Sequence, residues 1–435
     1  MLSIKDSYIR KHIKDGMFGL EKESLRVLGD GTFAHTKHPF ENNDSVVRDF
    51  CENQTEINTR VHTTAAAAVQ ELNEHYHMIQ NTLYGLPVRE YVWPFSNPPY
   101  IRNENDIPVA AFGGQEQFKT LYRDYLSDKY GRYKMTFSGI HVNFSFSEEL
   151  LRHGFRIHGG KSFSDYKNHL YLGLAENLAI YGWILTAVTA ASPLLDSSFV
   201  EKGVCGSDVF MGLASVRCSE LGYWNDFAPV LDYRSIEAYT DSIKGYVDNG
   251  LLKAPSELYY PVRLKPAGDN NLESLKTDGV SHIELRMFDL NPLCAEGLEV
   301  KDVLFAQLLM IWLLCKPKEK FAIKHQVQAV QNFKNAAHYD LKTVKIALPD
   351  GTICSVAQAA VNIIDSMKTF FRENGIDAVE ILDFEYRKFE DADNRYAWKI
   401  RKQFQDGFVK KGMELAKAKQ EECVKEKTFL DSLAC

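Results

Sequence analysis

Four stretches of the chain read as strands, or entries to strands, in which apolar positions share one face and ligand-binding groups share the other. Positions 18–27 place Glu21 and Glu23 side by side on one face. Leu28-Gly29-Asp30-Gly31-Thr32 follows as a hairpin turn, because Asp-Gly supplies the positive φ angles of a type I′ turn. If positions 53–59 form a strand, Glu56 points where Glu21 and Glu23 point. Positions 135–146 alternate, with Phe137, Gly139, His141 and Asn143 opposite Ser138, Ile140, Val142 and Phe144. Positions 281–288 set His282, Glu284 and Arg286 against Ile283, Leu285 and Met287. Helices are expected over 63–83, 166–195, 303–315, 355–374 and 392–427, the last packed on the body by Phe404, Phe408 and Met413. Strands and helices follow no regular β-α-β rhythm, so the pattern predicts an α+β fold: an antiparallel sheet covered on one face by helices. No repeat, linker or low-complexity segment divides the chain. It reads as one unit over 1–435, with a sheet-bearing core to about residue 316 and a helical part over about 317–435.

Composition narrows the partners. Of 435 residues, 45% are hydrophobic, 12% aromatic and 25% charged, which excludes disorder and fibrous classes. Fifty-one Lys and Arg against 58 Asp and Glu give a net charge of −7, so no global positive field exists for nucleic acid or an anionic membrane. The eight cysteines (Cys51, Cys205, Cys218, Cys294, Cys315, Cys354, Cys423 and Cys435) show no zinc spacing and suit a reducing compartment. The first fourteen residues carry charges throughout, so a cytoplasmic protein without a secretory signal is expected. The apolar stretches 178–195 and 303–315 read as buried helices. The first is interrupted by Thr186, Thr189, Ser192 and Pro193, and the second is shorter than the ~20 residues of a bilayer span.

Adjacent carboxylates such as Glu21 and Glu23 repel, and a half-buried face tolerates them when a cation neutralises them; hard oxygen donors favour Mg²⁺ or Mn²⁺ over zinc. Each segment alone has a plainer explanation. Glu21 and Glu23 could lie on a solvent-facing edge strand, 49–56 could be an acidic loop, His141 a hydrogen-bonded structural residue, and Glu284 with Arg286 an ion pair. Together on one sheet they would form a multi-carboxylate metal site with Arg286 available for a phosphate. No Walker A, Rossmann or kinase glycine pattern, nucleophile elbow or H-E-x-x-H is present, so a nucleotide would be held mainly through metal ions. A metal-dependent hydrolase or a non-catalytic metal-binding protein could use the same clusters.

The strings GLEKESLRV, DFCENQTEI, WPFSNPPYI, FKTLYRDYL, SGIHVNFS, ASPLLDSSF, SELGYWN, ELYYPVR and HIELRMFDLNPL, in this order between Gly19 and Leu293, resemble glutamate-cysteine ligase of the bacterial type. The resemblance extends to the amino-terminal ligase half of the bifunctional glutathione-synthesising enzyme, and the sequence stops where a second, ATP-grasp half would begin. It implies a glutamine synthetase-like antiparallel half-barrel with helices outside. It also implies ATP as co-substrate, Mg²⁺ or Mn²⁺, and ligation of L-glutamate to L-cysteine, with another amine as the alternative acceptor. On this resemblance Glu21, Glu23, Asp49, Glu56, His141 and Glu284 hold up to three metal ions, and Arg286 faces the ATP phosphates. Arg217 holds glutamate, while Phe50, Tyr122, Arg123, Leu126, Tyr223 and Tyr259 surround cysteine. The chain departs from the family pattern at Ile57-Asn58-Thr59-Arg60, Asn53 and Thr55, which puts the acceptor pocket in question.

Overall fold

In the computed structural model, which describes residues 2–317 and 321–433 without the side chains of 429–433, the alternating stretches become one sheet. Met1 and Cys435 lie outside the described residues, and the seven described cysteines are free thiols. The strands, in chain order, are β1 (Gly16–Val27), β2 (Val46–Arg48), β3 (Gln54–Asn58), β4 (Tyr91–Val92), β5 (Ile140–Phe146), β6 (Leu195–Asp196), β7 (Asp208–Val209), β8 (Val262–Lys265), β9 (His282–Phe288), β10 (Lys345–Ala347) and β11 (Ile353–Ser355). The main sheet runs β2-β3-β1-β5-β9-β8, with β4 beside β1. Every pairing in it is antiparallel.

Period two divides the sheet's faces. Leu20 of β1, Ile140, Val142 and Phe144 of β5, and Ile283 and Leu285 of β9 are buried in the main core with the helices Ala65–Tyr84, Phe163–Tyr181 and Val300–Cys315. These helices cover one face only, so the fold is α+β. The opposite face is open and carries the polar positions. Thr64 caps the Ala65–Tyr84 helix by accepting from Ala67 N at 3.2 Å.

Several elements depart from the pattern. The turn after β1 has a positive φ at Gly31 and none at Asp30, so it is not type I′, and Val27 meets Phe33 in a single bridge rather than a second strand. Residues 135–139 are not strand. Lys134–Thr136 is a short 3₁₀ turn, and Ser138 N donates to Ser96 O at 2.9 Å, away from the sheet ladder. The expected helix over 166–195 is two helices, Phe163–Tyr181 and Trp183–Thr189, bent by 57°. Gly182 sits at the bend, where a Cβ would lie 2.4 Å from Leu178 O and 3.1 Å from the Phe333 ring. The stretch 392–427 also breaks, into a 3₁₀ turn and the helices Tyr396–Phe404 and Phe408–Leu433. At the second break Asp406 has φ 63°, and the Asp208 carboxylate accepts from Gly407 N and Phe408 N at 2.7 and 3.0 Å, capping the last helix from a distant strand. The part beyond residue 317 contains the β10–β11 ribbon among its helices. Among the described residues no single helix is long and apolar enough to cross a membrane; the bent 163–189 pair meets that test only when taken together.

Candidate active site

Register builds the open face row by row. Glu21 pairs with Asn58 on one side and His141 on the other, Glu23 pairs with Glu56, and Asn143 pairs with Glu284, which in turn pairs with Arg263. Directly opposed residues of antiparallel strands point to the same face, so these side chains share one floor. His141 Nδ1 donates to Glu21 Oε2 at 2.8 Å, and Asn143 Nδ2 donates to Glu21 Oε1 at 2.9 Å. Gly139 N donates to Glu23 Oε2 at 2.9 Å, so the chain leaves strand geometry where a backbone N–H serves a carboxylate. One ligand atom from each of Glu21, His141 and Glu284 lies within 4.8 Å of the other two. His141 Nε2 is buried without a hydrogen-bond partner, and Glu284 Oε2 has only its ion pair with Arg286. Carboxylate oxygens converging with an imidazole whose buried Nε2 is unsatisfied fit a divalent cation.

The electrostatics divide this floor. Burial is the largest influence on Glu56 and raises its carboxyl well above the usual range, aided by the charges of Asp49, Glu21 and Glu23. Burial and then Asp49 raise Glu23. Glu284 behaves oppositely: burial pushes it up, but Arg286, Lys265, His141 and Arg263 outweigh burial and hold it well below the carboxylate range. Arg286 Nη1 lies 3.0 Å from Glu284 Oε2, and Lys265 Nζ lies 3.0 Å from Glu284 Oε1. Glu21 is lowered because its bond to His141, with the charges of His141 and Lys265, overcomes a larger upward effect of burial.

All six acidic and imidazole positions singled out from the sequence line one cavity of about 390 Å³, together with Arg286, Arg217, Phe50, Tyr122, Arg123, Leu126, Tyr223 and Tyr259. The Gln117–Tyr130 helix brings Tyr122, Arg123 and Leu126 to one wall. Arg123 is tied down, donating to Asp49 O from Nε at 2.9 Å and from Nη2 at 2.6 Å, with its guanidinium 4.7 Å from the Phe112 ring centroid. Tyr223 and Tyr259 pack with ring centroids 4.2 Å apart, and Asn225 Oδ1 accepts from Tyr259 N at 2.9 Å. Arg217 crosses above Gly139 so closely that a Cβ there would lie 2.2 Å from the guanidinium carbon. Residues to which the sequence reading assigned no role in the site also line the cavity: Arg263 and Lys265 of β8, Met135, Phe137, Ser256 and Asn270.

The departures from the family pattern separate into two kinds. Asn58 faces the cavity and lowers Glu56 slightly through a side-chain hydrogen bond. The others serve the scaffold. Asn53 Nδ2 donates to Arg26 O at 2.8 Å, Thr59 Oγ1 accepts from Leu20 N at 2.9 Å, Arg60 pairs with Glu71 at 2.8 Å, and Thr55 is buried.

Residues 1–336 match the family model described as glutamate-cysteine ligase. The glutathione biosynthesis bifunctional protein GshAB of Listeria innocua is 35% identical over 377 residues, which are 84% of this chain and 48% of that protein. The chain thus spans about half the length of the bifunctional relatives it matches. A glutamate–cysteine ligase of Clostridium acetobutylicum is 30% identical over 383 residues, covering 75% of this chain and 79% of the relative. The crystal structure of a bifunctional glutathione synthetase from Pasteurella multocida superposes with a TM-score of 0.81 at 27% identity, over 95% of this chain and 53% of that one. The glutamate–cysteine ligase of Francisella tularensis, solved in complex with AMP, shares the fold with a TM-score of 0.81 at 24% identity, over 94% of this chain and 89% of that one.

Proposed function

The chain belongs to the glutamate-cysteine ligase family, and from that membership and the geometry of its cleft we propose that it joins the side-chain carboxylate of L-glutamate to the amine of L-cysteine, with ATP as co-substrate. The observation that carries this reading is the division of one cavity into an acidic floor, a cationic side and a tyrosine-lined wall. We read the sheet as a glutamine synthetase-like half-barrel and residues 1–435 as one catalytic unit working in the cytoplasm. Neither nucleic acid nor membrane is a partner in this reading.

Glu21, Glu23, Asp49, Glu56, His141 and Glu284 are assigned to up to three divalent ions, Mg²⁺ before Mn²⁺. Bound metal supplies neutralisation of phosphate charge and Lewis acidity. Arg286 is assigned to the phosphoryl oxygens of ATP, Arg217 to glutamate, and Phe50, Tyr122, Arg123, Leu126, Tyr223 and Tyr259 to cysteine. A carboxylate oxygen of glutamate takes the γ-phosphoryl group as the bond to ADP breaks. The cysteine amine then attacks the acyl carbon, an amide bond forms as the nitrogen gives up a proton to solvent, and phosphate leaves with the electron pair of the carbon–oxygen bond. Side chains position the partners and offset charge on phosphate and on the tetrahedral intermediate. Burial pushes the hydroxyls of Tyr223 and Tyr259 far above their usual range, and Tyr122 up to about 12, so all three remain neutral phenols and no base is assigned among them.

The deciding experiment is ATP turnover by purified protein with Mg²⁺. ADP should appear only when L-glutamate and an acceptor amine are both present, cysteine being preferred. Equal turnover without amino acids, or none with the full set, would end the ligase reading. A structural test follows from Gly139. The Ala methyl would displace only the far end of the flexible Arg217 side chain, so Gly139→Ala should fold normally. It should raise KM for glutamate about 10- to 100-fold, the value of a misplaced charge-assisted hydrogen bond, while KM for cysteine stays near its original value. An unchanged glutamate KM would remove Arg217 from that role.

A further inference from the structure

The charges around the cavity are balanced in number but separated in space. Five carboxylates and five cationic side chains line it. Four of the carboxylates, Glu21, Glu23, Asp49 and Glu56, belong to β1, β3 and the segment leading into β3, whereas Arg263, Lys265 and Arg286 belong to β8 and β9. The one carboxylate on β8 and β9 that lines the cavity is Glu284. Lys265 and Arg286 each hold one of its oxygens at 3.0 Å. Arg263, directly across the ladder from Glu284, donates from Nη2 to a backbone carbonyl, Pro255 O at 3.0 Å, and has no ion-pair partner among the described residues. This side of the cleft therefore holds two positive charges more than its carboxylate can offset, in a partly desolvated place.

Keeping surplus cations out of water is costly unless an anion is due to arrive. Glu284 is also one of the three groups whose ligand atoms converge on the candidate cation position, so its Lys265 partner stands in competition with a metal ion. We propose that Lys265 is an exchangeable counter-ion of the site: it neutralises Glu284 in the empty cleft and passes to the phosphates of the incoming nucleotide, beside Arg263 and Arg286, which leaves Glu284 free for the metal. This rests on the reading that the cleft takes ATP, and it makes nucleotide and metal binding mutually reinforcing through one side chain.

Calorimetry with the β,γ-imido analogue of ATP and Mg²⁺, together with Mn²⁺ titration in the absence of nucleotide, separates the possibilities. Lys265→Met should bind the analogue about 10- to 100-fold more weakly than the unmutated protein, the value of a lost hydrogen bond to a charged group. The same variant should bind Mn²⁺ as tightly or more tightly, because a competing positive charge has gone. Lys265→Arg should restore most of the analogue affinity. Undiminished analogue binding by Lys265→Met, or parallel loss of analogue and Mn²⁺ binding, would overturn the proposal. If Lys265→Met does not fold, Lys265→Gln is measured in the same way. Failure of both neutral variants to fold would make Lys265 a fixed structural counter-ion and equally end the proposal. If the unmutated protein bound no analogue, the ATP reading itself would fall and this inference with it.

Discussion

Glu284→Gln should abolish ligase activity and lower the melting temperature of the metal-free protein, whereas Glu56→Gln should abolish activity and raise it. The activity losses have a common cause, since each substitution removes one negative charge from the floor assigned to metal, and a fall of about a thousandfold is expected of each. The stability effects diverge because the two carboxylates have opposite surroundings. Glu284 is 1% exposed and holds Lys265 and Arg286, so a neutral amide leaves two cations without their shared partner, at about 3–5 kcal/mol for a broken buried pair. Glu56 faces Glu23 across the ladder and feels Asp49 and Glu21 as well, and its raised pKa means that the folded state penalises its charge. Removing that charge relieves the repulsion and stabilises the metal-free fold by on the order of 1 kcal/mol or more. Circular dichroism melting in a chelator, beside the ADP assay, reads both effects. A Glu284→Gln protein as stable as the original would mean that Lys265 and Arg286 are not anchored on Glu284 in solution.

Much of this arrangement was legible in the sequence, because period-two alternation fixes which side chains share a face without any knowledge of strand order. The four segments with carboxylates or imidazole on a polar face do converge, and His141, Glu21 and Glu284 come within reach of one another. What remained hidden has physical reasons. In β8, Val262 and Leu264 alternate with Arg263 and Lys265, but four residues are too few to stand out. Its charges are also cations, which read as an ordinary solvated edge until the register sets them against Glu284. The irregular path of 137–139 was missed because its alternation continues unbroken in sequence, while Ser138 and Gly139 direct their N–H groups to Ser96 O and the Glu23 carboxylate. The break at Asp406 is capped by Asp208, which arrives from far along the chain, and the one at Gly182 is crowded by Phe333 as well as by the local Leu178 O, so the local pattern announced them only in part.

Arg286→Lys should lower kcat by more than about a hundredfold while leaving KM for glutamate nearly unchanged. The substitution keeps a positive charge beside Glu284, so the counter-charge that stabilises the fold survives and the melting temperature should move little. What is lost is the planar guanidinium, which can hold Glu284 and present a second pair of donors to a phosphoryl group at once; an ammonium concentrates its charge at one point and cannot span both. Arg286 is held in its charged form by Glu284, Glu21 and Glu23 despite burial, so it is available as a cation throughout the working pH range. The transferring phosphoryl group spreads negative charge over three oxygens, and a group that meets this charge only during transfer affects kcat rather than substrate binding. Glutamate is assigned instead to Arg217, whose guanidinium packs above Gly139 on another part of the wall. Steady-state kinetics with each substrate varied in turn distinguishes the two arginines. A raised glutamate KM with kcat preserved in Arg286→Lys would exchange their roles, placing glutamate on the β9 side of the cleft and the phosphates beside Gly139.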